Sequence, residues 1–176
     1  MKCRNQLRKN GFKSEEHAFL EKHADFFYIL TLTAIFIVVC FLTWAKLGNP
    51  FIDCGREAYL PHAILHGNVL IKDVFNLYNP LSIQINAILY HLFGEKLTVL
   101  YLAGIANSYL ILLVAYLITK SLFKPLQAFS ITMVIMAMGV FQLDIFNYIF
   151  PYTYAMTYAL TGMLTSVLCG IYAIKN

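Results

Sequence analysis

Four apolar runs punctuate the chain, Phe26 to Ala45, Leu97 to Ile118, Leu126 to Leu143 and Pro151 to Ile174. The first carries no charged side chain, and the second is interrupted only by mild polar residues such as Asn107 and Ser108. About eighteen apolar residues in a row suffice for a helix across the roughly 30 Å hydrocarbon layer of a bilayer. The pattern therefore predicts an all-α, polytopic membrane protein with four transmembrane helices, over about 26–45, 97–118, 126–143 and 151–174. Of these the third is the shortest. Pro151 is expected in the first turn of the fourth, where a residue without an N–H forfeits no bond.

Residues 46–96, between the first two runs, form a connection far longer than helix packing requires, and such segments are usually folded or functional. Two short helices are expected in it. The first covers Cys54 to His66 and is closed by Gly67, with Pro61 kinking it or delaying its start. The second covers Leu81 to Phe93 and gathers Leu81, Ile85, Ile88, Leu89 and Leu92 on one face, with Ser82, Gln84, Asn86 and His91 on the flanks. At about 20 Å it is too short to span and suits the membrane interface. Between them, Gly67 to Pro80 reads as an ordered loop.

Composition agrees with a bilayer as part of the solvent, since 60% of the residues are hydrophobic and only 12% charged. Half of the net charge of +4 comes from the N-terminal segment, residues 1–25, which carries Lys2, Arg4, Arg8, Lys9, Lys13 and Lys22. Lys120 and Lys124 follow the second run, and Lys175 follows the fourth. Positive charge is retained on the cytoplasmic side, so both termini are expected there, in a bacterial inner or plasma membrane, with the 46–96 loop and the segment near Asp144 outside. The charge signals topology and weak attraction to anionic membrane lipid, not nucleic acid. A long, internal first run without a cleavage pattern is expected to stay as an anchor. Cys3, Cys40, Cys54 and Cys169 are scattered without disulfide or zinc spacing, and neither repeat nor linker divides residues 26–176.

Candidate chemistry concentrates in the 46–96 loop. Asp53, Arg56 and Glu57 collect a base, a cation and a second acid where the first span ends, and ionisable groups near hydrocarbon invite a functional reading. If the helix begins early enough, Asp53 and Glu57 share one face. The structural alternative is that Asp53 caps the helix and Arg56 pairs with an acid or a lipid phosphate. His62 and His66, four apart, offer two metal ligands from one helix face, but no third stands at a suggestive position. No metal or other cofactor is expected. Gly162, Ser166 and Gly170 form a small-residue stripe that lets another helix approach closely.

Taken in order, Asp53, Gly55, Arg56, Glu57, Tyr59, Leu60 and Pro61, then Gly67, Lys72, Asp73, Tyr78, Asn79, Pro80 and Leu81, then Leu92, Phe93 and Gly94 resemble the first outer loop of GT-C glycosyltransferases. These polytopic enzymes use polyprenyl-phosphate sugars and include protein mannosyltransferases and lipid A aminoarabinose transferases. The similarity lies in an acid after the first span, a Gly-to-Lys-Asp turn, a Tyr-x-Pro and a closing Phe-Gly, and it extends from Phe26 to the C-terminus. It implies two interfacial helices in the loop, with Asp53 as catalytic base for sugar transfer from a polyprenyl-phosphate-linked donor to an acceptor hydroxyl. Arg56 and Lys72 become candidates to hold the donor phosphate, the alternative being that each snorkels toward headgroups. Glu57, Asp73 and Asp144 complete the candidate substrate-binding set. For Asp144, the alternative is a plain interfacial setting among Phe146, Asn147, Tyr148, Tyr152 and Tyr154, read as an aromatic belt.

Family members carry many more spanning helices than four, so the resemblance implies an N-terminal portion, as a truncated gene product, a split half or a minimal relative. It is not expected to catalyse transfer alone, and its small-residue stripe predicts association with another membrane chain or with itself. A non-enzymatic four-helix protein, such as a lipid-carrier flippase or an assembly subunit, is the alternative. A transporter half would call for charged or broken helices near the midplane, which none of the runs shows.

Overall fold

A computed structural model describes residues 24–44, 46–48, 54–78, 80–143 and 146–175. Among them the chain is helical: α1 (Ala24–Leu42), α2 (Gly55–Leu65), α3 (Pro80–Phe93), α4 (Leu97–Leu122), α5 (Pro125–Ile135) and α6 (Tyr154–Lys175). An isolated bridge between Leu70 and Val74 closes a turn between α2 and α3.

Three helices, α1, α4 and α6, are long and apolar enough to cross a membrane. Helix α4 is central and touches α3, α5 and α6. In its most apolar stretch 33% of the residues are buried, against 6% in α6, so most of α6 turns its apolar side chains away from the protein. Contacts at both ends fix the directions. Asp25 at the start of α1 pairs with Lys120 and accepts a 3.0 Å bond from Tyr116 Oη, both late in α4, while Leu47 beyond the end of α1 meets Tyr101 early in α4. Helices α1 and α4 are therefore antiparallel. The Tyr154 hydroxyl reaches the Leu100 carbonyl (2.8 Å), and Lys175 Nζ reaches the Ser121 carbonyl (3.3 Å), so α4 and α6 run parallel. Asp25, Lys120 and Lys175 thus mark one basic end, and α2, α3 and the loop before α6 mark the other.

The expected third span is realised as an 11-residue α-helix and a 5-residue π turn, Met136–Val140, together rising about 24 Å. This is short of a full crossing by helix alone. The reason lies in the segment ahead of α6, where residues 146–153 descend into the bundle and meet α5 below the loop end. The Tyr148 amide donates to the Gly139 carbonyl (3.2 Å), and a Cβ on Gly104 of α4 would stand 1.7 Å from the Ile149 carbonyl oxygen. Irregular backbone at that depth survives only when its polar groups are satisfied internally. Buried Asn147 supplies much of this, accepting from the amides of Ile149 (3.1 Å) and Phe150 (2.7 Å) and donating to the Phe150 carbonyl (3.3 Å).

This descent corrects two expectations. Asn147 and Tyr154 are fully buried and do not form an interfacial belt, although Phe146 is exposed. Pro151 is buried ahead of α6, which begins at Tyr154, so it is not in the first helical turn. Packing sorts the two faces of α3. Ser82, Ile83, Asn86, Ala87 and Tyr90 face inward, while Leu81, Ile88 and Leu92 face outward. Pro61 lies within α2 and neither delays its start nor ends it, and Gly67 (φ +89°) stands just past its C-terminus as expected.

The contact at Gly104 is backbone against backbone and has no side chain that can yield. Gly104→Ala is expected to lower stability by about 1–3 kcal/mol, as overpacking of a filled core does. Gly162→Ala, where an added Cβ meets nothing within 4 Å, should leave stability unchanged or slightly higher. Unfolding midpoints of the two variants in detergent check the contrast.

Candidate functional site

At the loop end, α2 is anchored by a carboxylate. Glu57 is 3% exposed, and its Oε2 accepts the Tyr154 amide at 3.0 Å, across 97 residues of sequence. Tyr154 is the first residue of α6, whose opening N–H groups have no partner inside the helix and carry a partial positive charge. Glu57 therefore closes a buried helix end. Its second oxygen stands 3.5 Å from the Arg56 guanidinium. Burial pushes the Glu57 carboxyl above its ordinary value of 4.5, opposed by the Tyr154 amide, by Arg56 and by the Thr153 hydroxyl.

Arg56 is held between two rings, its guanidinium carbon 4.7 Å from the Tyr78 centroid and 4.9 Å from that of Tyr152, with Nη2 also 3.4 Å from the Tyr152 carbonyl. Stacked cations of this kind are stabilised by the ring quadrupoles. The same two tyrosines, with Phe146, Thr153, Ala155 and Met156, line a cavity of about 530 Å³. Its walls are overwhelmingly apolar, and Arg56 is the cation beside it. Cys54, at the N-cap of α2, is buried and directs Sγ to the Phe150 carbonyl (3.6 Å).

The candidate residues are thereby sorted. Asp53 and Asp144 lie outside the described residues, as does the question of a face shared by Asp53 and Glu57; α2 begins at Gly55, and Cys54, not Asp53, occupies its N-cap. Arg56 and Glu57 come together, Arg56 against the cavity walls and Glu57 behind it. Lys72 and Asp73 sit in an exposed turn and do not line the cavity. There the Asp73 carboxylate accepts the Val69 amide (2.9 Å) and shapes the turn. Tyr78, Tyr152 and Thr153 belong to the site without any spacing signal, since they reach Arg56 and Glu57 only through the fold.

One group of possible metal ligands is found among the described residues. His62, His66 and Glu95 bring one donor atom each to within 4.8 Å of one another. Glu95, in the short connection between α3 and α4, is the third ligand that sequence spacing does not reveal.

The raised Glu57 carboxyl has a signed consequence. A carboxyl whose folded value exceeds its unfolded one contributes stability that is complete below about pH 4.5 and is lost as pH rises through the folded value. Glu57→Gln keeps an acceptor for the Tyr154 amide and should flatten that dependence. Glu57→Ala leaves the amide unsatisfied and should lose about 1–3 kcal/mol at low pH, with the gap to wild type narrowing as pH rises. Thermal unfolding from pH 4 to 8 separates the three proteins.

No protein-family model, curated protein or solved structure matches this chain.

Proposed function

We propose that the chain is a portion of a membrane glycosyltransferase that moves a sugar from a polyprenyl-phosphate donor to an acceptor hydroxyl on the non-cytoplasmic face. The observation that carries this reading is Arg56, a guanidinium clasped by Tyr78 and Tyr152 beside an apolar cavity. A lipid phosphate asks for that combination of a fixed cation and an apolar wall. In this reading α1, α4 and α6 span the bilayer. Helix α5 and the descending 146–153 loop complete a fourth crossing, and both termini are cytoplasmic. Helices α2 and α3 lie at the outer interface, supported by the outward Leu81, Ile88 and Leu92 of α3.

The acceptor oxygen attacks the anomeric carbon and passes its proton to the Asp53 carboxylate. The bond from that carbon to the phosphate oxygen breaks, and polyprenyl phosphate departs with the electron pair, its charge met by Arg56. Glu57 positions Arg56 and the start of α6. The exposed α6 stripe, where a Cβ on Gly162 or Gly170 would meet nothing within 4 Å, supports association with a further membrane chain that completes the enzyme.

The sole tryptophan, Trp44, follows α1 and reports the test by fluorescence. Polyprenyl phosphate added to the detergent-purified chain should bind about tenfold or more weakly to Arg56→Gln, the loss of one charged hydrogen bond, with incomplete recovery in Arg56→Lys. Asp53→Asn should bind the lipid normally yet abolish transfer once the completing chain is supplied. Equal lipid affinity in wild type and Arg56→Gln would favour the non-enzymatic assembly subunit instead.

A further inference from the structure

We infer that His62, His66 and Glu95 form a zinc site that fastens the C-terminal end of α2 to the connection between α3 and α4. Helix α2 has two unlike faces. Glu57, Leu60, Pro61 and Ala63 are buried, whereas Tyr59 and His62 are exposed, as is His66 at the C-cap. Two histidines one helical turn apart project from the same side, and here their ring centroids are 4.2 Å apart with the planes tilted by 38°.

The hydrogen bonds prepare the donors. His66 Nδ1 lies 2.9 Å from the His62 carbonyl oxygen. A carbonyl only accepts, so Nδ1 carries the proton and the Nε2 lone pair is left for a metal, the arrangement by which a neighbouring carbonyl fixes the tautomer of a ligating imidazole. His62 Nδ1 is in contact with Glu95 Oε2, which brings a nitrogen donor and a carboxylate donor to one place. Glu95 is held in place by its neighbours. Gly94 adopts φ +89° and donates to the Tyr90 carbonyl (2.8 Å), and the Lys96 amide donates to the Gly94 carbonyl (3.0 Å).

Two imidazoles and one carboxylate suit zinc, while calcium and magnesium favour all-oxygen sets. Tetrahedral ligands with zinc bonds near 2.1 Å stand about 3.4 Å apart, so an ion enters by parting the His62–Glu95 contact and drawing the His66 ring inward within a donor set that spans at most 4.8 Å. All three side chains are exposed. Three protein ligands leave a fourth position for water.

Zinc titration of the metal-stripped, detergent-purified full chain, by calorimetry and against a chromophoric chelator, tests the site. One zinc ion per chain is expected, with affinity falling at least tenfold in Glu95→Gln and at least a hundredfold in His62→Gln/His66→Gln, and unchanged in His91→Gln. Zinc should also raise the unfolding midpoint of the wild type and not that of the double variant. Helical content by circular dichroism confirms that the metal-free variants remain folded. Equal affinity in wild type and double variant would overturn the inference by placing the ion elsewhere. Absence of zinc binding by the folded wild type would also overturn it, leaving a hydrogen-bonded His–Glu pair.

Discussion

The bond from the Tyr154 amide to the Glu57 carboxylate carries more of this structure than its length suggests. It joins a short helix beyond α1 to the start of the last helix, and it meets two needs that neither segment can meet alone. Helix α6 starts in the interior, where an orphaned N–H is expensive, and Glu57 is buried, where an unpaired carboxylate is more expensive still. Each satisfies the other. Once they are joined, the Tyr152 carbonyl and ring fall beside Arg56, Tyr78 closes from the other side, and the cavity walls are set.

A second constraint shapes the same end. The segment before α6 does not run over the surface but sinks against α4, and it does so because Gly104 and Gly139 leave room for Ile149 and Tyr148. Asn147 substitutes for the helix or sheet partners that this backbone lacks. The π turn at Met136–Val140 ends α5 where the loop arrives, through a bond from the Phe141 amide to the Met136 carbonyl (3.1 Å). Wide turns of this kind often accompany functional regions. Here the turn gives α5 a length matched to the depth of the loop.

Helix α2 links the two pieces of candidate chemistry. Its inner face holds Glu57 and thereby the cation beside the cavity, and its outer face presents the histidines. An ion held by His62, His66 and Glu95 would tie α2 to the α3–α4 connection from outside, while Glu57 ties it to α6 from inside. The position of Arg56 would then depend on both.

The sequence alone determined what is local. Long uncharged runs set α1, α4 and α6, because hydropathy and rise per residue are properties of a segment by itself. Gly67 marked the end of α2 for the same reason, since a left-handed residue past a helix terminus is a backbone preference. Periodicity also grouped Leu81, Ile88 and Leu92 and suited them to a membrane interface, but it did not show which residues pack behind them. An apolar face turns toward lipid as readily as toward a core, and only packing against α2, α4 and α6 put Ser82 and Asn86 inside. The acids were visible as a cluster near the end of the first run, yet the duty of Glu57 was not, because its partner lies 97 positions away. Glu95 joined the histidines in the same manner, across 33 residues. Partners separated by tens of residues leave no spacing signature in a single chain, so they were decided by the tertiary structure, where desolvation makes each buried polar group find a partner.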